Sequence, residues 1–275
     1  SLLCVLAALL SLTACQPEEP DVVSEQDIET ALAEATMDAD YEEIDALSVE
    51  AMDVTDISAA GRDFSNADLR MIPACATITH DSVNKVITID FGTGCVGPYG
   101  RERKGKIILT YTQRLYVPGS TLTIELENYS VNDVAIEGTK TITNLASSWQ
   151  DPISFNTTLV GGQVTWLNGD VSTREFSRTR TWVRGVNPLL DEFHIDGTAS
   201  GMRRTGVSYQ TTVLSTLIVK RACRVQGVRI PVEGQLELKV GNRPTVLVDF
   251  GDGTCDHLIT VEVNGHTRVI DVSNP

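Results

Sequence analysis

From Met71 onward, apolar and polar residues alternate along the chain, and this period of two limits the folds open to it. Leu122, Ile124 and Leu126 alternate with threonine and glutamate, and residues 107–111 and 236–240 show the same pattern. Successive side chains of a strand point to opposite faces, so the alternation predicts strands with one buried face. No helical pattern interrupts them, which excludes parallel βαβ units. We therefore expect an all-β domain, a large antiparallel meander that forms a sandwich or a strongly curved sheet.

Three glycines occupy equivalent places inside these strands. Gly138, Gly197 and Gly234 each follow an aliphatic residue and an acid. Glycine inside a strand usually marks a bulge or a bend, so these positions predict where long strands curve.

A repeated hairpin predicts the disulfide bonds. Cys75 precedes Asp90-Phe91-Gly92 and Cys95, and Cys223 precedes Asp249-Phe250-Gly251 and Cys255. Folding each hairpin about its turn brings its own two cysteines together, so we expect Cys75–Cys95 and Cys223–Cys255. The repeat also suggests two related halves, residues 71–160 and 161–275.

Negative charge is concentrated before this domain. Residues 16–70 hold seventeen acids and two arginines, a net charge of 2 − 17 = −15, which equals the net charge of the whole chain. Residues 71–275 are therefore neutral, whereas a nucleic-acid-binding protein would show a basic footprint. Ser24 and Asp27 predict a helix N-terminus, but Asp38-Ala39-Asp40 interrupts the pattern. We expect residues 15–70 to form a solvated acidic tether with marginal helices or disorder.

The first residues indicate export. Residues 2–10 form an apolar run that is too short to span a bilayer and suits a signal peptide. Leu12-Thr13-Ala14-Cys15 resembles the bacterial lipobox, in which the cysteine is lipidated. We expect residues 1–14 to be a lipoprotein signal peptide, with its basic start missing from this sequence, and Cys15 to carry the lipid.

Several of these features resemble a family of uncharacterised surface lipoproteins from Bacteroidota. The resemblance rests on the lipobox, the acidic segment, the Asp-Phe-Gly-x-Gly-x-Cys turn and the ending at Val263-Asn264-Gly265. It implies a lipid-anchored protein of the outer membrane, facing the cell exterior, and brings no activity. Residues 249–253 are also similar to the core of PKD-type repeats, but the tryptophan before that motif is replaced by Val248.

Two sets of residues are candidate ligand sites. Asp249, Asp252 and Asp256 could offer oxygens to Ca²⁺, although an Asx-turn role explains them without an ion. Residues 174–184, read as a strand, place arginines and aromatics on one face, and these are Arg174, Phe176, Arg178, Arg180, Trp182 and Arg184. Such a face suits carboxylated or sulfated sugars. The alternative is that acids elsewhere in the fold pair with the arginines.

Three functions remain open from the sequence. The first is a non-enzymatic binding or structural module of the cell envelope, with a polysaccharide or an envelope protein as partner. The second is an acidic-glycan binder that uses residues 174–184. The third is a hydrolase with catalytic carboxylates, although no acid–base pair can be identified from spacing.

Overall fold

The computed structural model describes residues 22–55 and 71–273, so the predicted signal peptide and Cys15 lie outside the described residues. The helices are α1 (Glu25–Val54) and α2 (Arg221–Arg224). The strands are β1 (Thr77–Asp81), β2 (Val86–Asp90), β3 (Cys95–Val96), β4 (Glu102–Tyr111), β5 (Thr121–Val131), β6 (Val134–Asn144), β7 (Ser154–Thr165), β8 (Val171–Val183), β9 (Glu192–Met202), β10 (Ser208–Lys220), β11 (Glu233–Val240), β12 (Val246–Asp252), β13 (Leu258–Val263) and β14 (His266–Asp271).

All fourteen strands belong to one antiparallel sheet, which confirms the predicted meander. Its order follows the chain, except that β2 and the short β3 both pair with β4. The suggested division between residues 160 and 161 falls inside β7, and the sheet continues through it. The sheet is not closed, and it curves around α1.

The three strand glycines lie where the strands bulge, as predicted. Gly138, Gly197 and Gly234 have φ angles of 126°, 134° and 104°. A shift in strand pairing occurs at or beside each of them. A Cβ atom at Gly234 would lie 2.3 Å from the carbonyl oxygen of Thr216, so the neighbouring strands also need glycine to approach this closely.

Both predicted disulfide bonds are present. Cys75 is bonded to Cys95, and Cys223, in α2, is bonded to Cys255. The first bond ties the segment before β1 to β3, and the second ties α2 to the turn after β12. Each bond therefore fastens one end of the long meander.

The acidic segment departs most from expectation. Residues 25–54 form one continuous helix, capped by Ser24 and Asp27 as predicted, and most of its side chains are buried. Ile44, Leu47 and Ala51 belong to the same apolar core as Ile107 and Leu238 of the sheet. The expectation of a solvated tether is wrong for these residues, because basic side chains of the sheet neutralise the acids.

Within residues 22–55 and 71–273, no helix combines the length and the apolar character needed to cross a membrane.

Candidate functional site

The arginines of β8 are aligned with acids of α1. Four residues of helix rise about 6 Å, close to the roughly 6.8 Å spanned by two residues of a strand. Acids one helical turn apart can therefore meet alternate residues of a strand. Arg174 contacts Glu34 at 2.8 Å and Asp38 at 2.7 Å. Arg178 also reaches Asp38, at 2.7 Å.

The same alignment continues towards the C-terminal end of the helix. Arg180 lies 2.6 Å from Glu42 and 3.2 Å from Asp45. Lys140 of β6 lies 2.6 Å from Asp45 and donates a hydrogen bond to the carbonyl of Tyr41. Each acid on this side of the helix thus has a cationic partner on the sheet.

Burial and ion pairing shift the pKa values of these groups in opposite directions. Burial alone would raise the pKa of Asp38, but the charges of Arg178 and Arg174 outweigh it and lower that pKa. The pKa of Arg174 is raised well above its usual value, because Glu34 and Asp38 outweigh the effect of burial. Asp45 differs, since burial and the nearby Glu42 raise its pKa despite Lys140. The pairs that Asp38 makes with Arg178 and Arg174 are therefore ionised.

These pairs occupy much of the predicted glycan-binding face. Arg174, Phe176, Arg178 and Arg180 are buried against α1. Only the end of the face approaches the surface, where Trp182 stacks on Phe193 at 6.0 Å and the exposed Arg184 lies over the Trp182 ring. A glycan site here requires Arg178 and Arg180 to have no acid within pairing distance, and that requirement is not met. The geometry matches the alternative interpretation, in which acids elsewhere in the fold pair with the arginines. These acids lie on the helix α1.

The aspartates considered for calcium act as turn caps. Asp249 accepts a hydrogen bond from the backbone N–H of Gly251, Asp252 from Thr254, and Asp256 from the backbone N–H of Leu258. In the part of the chain that the structure describes, no three His, Cys, Asp or Glu side chains cluster closely enough to hold a metal ion. The Asx-turn interpretation is thus confirmed by the hydrogen bonds.

A second basic region lies between the start of β4 and the loop after α2. A cavity of about 470 Å³ opens there, which we call the arginine pocket. Its lining residues are Glu43, Met71, Pro98, Tyr99, Arg101, Arg103, Arg224, Val225, Gly227, Val228 and Arg229. Four are arginines and one is an acid. The volume lies within the range of about 300–1,000 Å³ typical of small-molecule sites.

The helix brings the walls of the arginine pocket together. Arg101 and Arg229 come from distant parts of the chain, and both contact Asp40 and Glu43 of α1. Arg103, on the buried face of β4, also pairs with Glu43. Three arginines therefore share two carboxylates.

Among the residues that the structure describes, cations outnumber carboxylates in the ion-pair network around the pocket. The cations are Arg101, Arg103, Lys140, Arg180, Arg224 and Arg229, and the carboxylates are Asp40, Glu42, Glu43 and Asp45. The formal balance is 6 − 4 = +2. By contrast, Arg174 and Arg178 balance Glu34 and Asp38 one to one. The surplus is therefore located at the pocket.

Arg224 is the least well paired of these cations. It is 7% exposed, and among residues 22–55 and 71–273 its one carboxylate contact is with Glu42 at 3.6 Å, which Arg180 already holds at 2.6 Å. Its Nε and Nη2 atoms are buried and make no hydrogen bond to these residues. Burial, together with Arg180 and Arg229, lowers the pKa of Arg224 to about 10 despite Glu42. This guanidinium is available to an anion in the pocket.

Comparisons with known proteins identify no relative of this chain. The chain has no significant match among protein-family models, curated proteins or solved structures.

Sequence reasoning missed the arginine pocket because its residues are far apart in the chain. Arg101 and Arg224 each lie near a disulfide cysteine, Cys95 and Cys223 respectively. The available signal was the presence of a basic residue near a cysteine of each disulfide bond. Nothing in the sequence alone indicated that the two segments meet at one helix.

Proposed function

We propose that this chain is a non-enzymatic binding module of the cell envelope that binds an anionic ligand in the arginine pocket. The observation that carries the proposal is Arg224, a buried arginine that lines the cavity and whose Nε and Nη2 atoms make no hydrogen bond to any described residue.

An anion would supply what Arg224 lacks. Leaving a buried charge without a close partner costs several kcal/mol, and a cavity lined by cations gives that partner room. Arg103 also lines the cavity, and although it pairs with Glu43, its buried Nε atom makes no hydrogen bond to a described residue. Guanidinium groups form paired hydrogen bonds to carboxylate, sulfate and phosphate groups, which makes these anions the ligand class.

The lipid tether is part of the proposal. With lipid on Cys15, seven positions separate the anchor from Val22, the first described residue. That span is at most about 25 Å, so the module would be held close to the membrane. We place it on the outer membrane and facing outwards, on the strength of the lipobox and the acidic residues that follow it.

Anion-linked stabilisation tests the binding site. Thermal unfolding of the purified protein is followed as phosphate, sulfate or citrate replaces chloride at constant ionic strength. Binding to the folded state alone raises the melting temperature in a saturable way. Sulfate and phosphate also stabilise proteins without binding, so the comparison between variants decides the result.

The decisive variant is Arg224→Met, and the control is Arg268→Met. Arg268 pairs with Glu25 at the surface, far along the sheet from the pocket. We expect Arg224→Met to lose the saturable stabilisation while its own stability without anion is equal or higher, since methionine removes a buried cation that shares its carboxylate, Glu42, with Arg180. Arg268→Met should behave as the wild type. Saturable stabilisation that survives Arg224→Met, or its absence from the wild type, would overturn the proposal.

A further inference from the structure

An aromatic side chain lies at the mouth of the arginine pocket. Tyr99 lines the cavity and is 62% exposed, in contrast to the buried Arg103 and Arg224 behind it. The pocket therefore has a charged interior and an aromatic rim.

The Tyr99 ring is held in place. Its hydroxyl donates a hydrogen bond to the carbonyl of Val225, and its ring lies against Gly227, where a Cβ atom would come within 3.1 Å of it. Its backbone has a φ of 61°, a left-handed conformation that is costly for a bulky residue. A surface tyrosine with these constraints presents an aromatic surface at a defined place.

We propose that the ligand of the arginine pocket is an acidic sugar, a uronic acid or a sulfated monosaccharide at the end of a glycan. This rests on the proposed function, and it names the ligand class of the same site. The acidic group contacts Arg103 and Arg224, and the sugar ring packs against Tyr99.

The chemistry of the two regions favours this ligand over a simple anion. A carboxylate or sulfate matches the fork of a guanidinium, and the apolar C–H face of a pyranose matches an aromatic ring. Phosphate or acetate would satisfy the arginines but make no use of Tyr99. A neutral sugar would reach the ring but leave the arginines without a partner.

The test compares four probes on the full chain by isothermal titration: glucuronate, galacturonate, glucose and acetate. Glucose removes the charge and keeps the ring, whereas acetate removes the ring and keeps the charge. We expect at least one uronate to bind about tenfold or more tightly than acetate, and glucose not to bind measurably.

Variants separate the two halves of the site. Tyr99→Ala should weaken uronate binding about fivefold, the size of an aromatic contact, and leave acetate binding unchanged. Tyr99→Phe keeps the ring and should retain most of the uronate affinity. Arg224→Met should weaken both acids. Melting curves of each variant check that the fold is kept.

The outcomes distinguish this inference from the proposed function. If acetate binds as tightly as the uronates, or if Tyr99→Ala does not change uronate binding, the acidic-sugar assignment is wrong while the anion site stands. If glucose binds as tightly as glucuronate, the assignment is also wrong. If no anion binds at all, both proposals fall together.

Discussion

Tyr41 of the buried helix donates its hydroxyl to the backbone carbonyl of Glu137 at 2.7 Å, immediately before the strand glycine Gly138. Strand pairing between β6 and β7 shifts between Glu137 and Thr139. A bulge of this kind disturbs the hydrogen-bond ladder, so a carbonyl at that place needs another donor. The helix provides it, and this contact couples the position of α1 to a bend of the sheet.

Replacing this tyrosine tests the coupling. Tyr41→Phe removes the donor and keeps the ring that packs edge-on against Phe176. Because the Glu137 carbonyl loses this part-buried hydrogen bond at the bulge, we expect the free energy of unfolding to fall by about 1–2 kcal/mol. Denaturant unfolding measures the change. An unchanged midpoint would show that the contact does not contribute to stability.

The pairing of Asp38 predicts a dependence on pH. Its pKa is lower in the folded protein than in the unfolded chain, because Arg178 and Arg174 outweigh burial. The unfolded state therefore takes up a proton first as the pH falls. The stability contributed by Asp38 is present above the ordinary pKa of 3.8 and is lost as the pH falls through the folded pKa.

The test is Asp38→Asn, with unfolding measured from neutral pH downwards. The variant should be less stable at neutral pH by about 3 kcal/mol, because two buried arginines lose a charged partner. Its stability should also fall less steeply with acid. Glu127→Gln, which breaks the surface pair with Lys106, is the control and should change little. Equal slopes for Asp38→Asn and wild type would contradict the assignment.

The contributions of the two disulfide bonds to stability should be measurable separately. The bonds span 20 and 32 positions, so each should contribute about 3–4 kcal/mol by limiting the unfolded chain. We expect the double variants Cys75→Ala with Cys95→Ala, and Cys223→Ala with Cys255→Ala, to unfold at lower denaturant concentration. Denaturant unfolding measures this loss of stability, and peptide mapping without reductant checks the pairing of the cysteines. A linked peptide joining Cys75 to Cys223 would contradict the observed pairing.

Gly234 combines a positive φ with a close approach of the neighbouring strand. Gly169 has a positive φ alone, so comparing the two glycines isolates the effect of the close approach. Gly234→Ala places a Cβ atom 2.3 Å from Thr216 O, whereas Gly169 has a φ of 86° and nothing within 4 Å. Gly169→Ala therefore carries the conformational cost alone, about 1 kcal/mol. We expect Gly234→Ala to lose clearly more, measured by the midpoint of unfolding. Equal losses would show that the strands can separate to accept the methyl group.

Lipidation at Cys15 is a prediction from the sequence, and Cys4 offers a matched control. Cys15→Ala should move the protein from the membrane fraction to the soluble fraction, since one thiol carries the anchor. Cys4→Ala should not, because Cys4 lies in the predicted signal peptide. Fractionation of cells labelled with a fatty acid measures both. Unchanged membrane recovery of Cys15→Ala would refute the anchor.

The sheet was predictable because its signals are local. A strand with one buried face alternates in sequence, and a bulge or hairpin needs glycine at a particular place. Gly138 and the Cys75–Cys95 hairpin are therefore visible without knowledge of the rest of the fold. The order of strands follows from short connections between neighbours.

The burial of the helix was not predictable in the same way, because a charged residue in a sequence does not show whether it is exposed or paired inside the fold. Glu34, Asp38 and Glu42 look like a solvated face until their partners are known. The clue was their spacing of four, matched by arginines on one face of β8. The arginine pocket was harder still, since Arg101 and Arg229 are distant in sequence and meet through Asp40 and Glu43 of α1.

The placement of α1 has a consequence for biosynthesis. The basic partners of its acids lie 58 to 243 positions further along the chain. A ribosome adds about 5–20 residues per second, so the helix segment waits on the order of ten seconds for its last partner. The meander can pair strand by strand during that time, while α1 cannot complete its contacts. Its negative charge, neutralised in the finished protein, favours solvation of this earlier segment until the sheet encloses it.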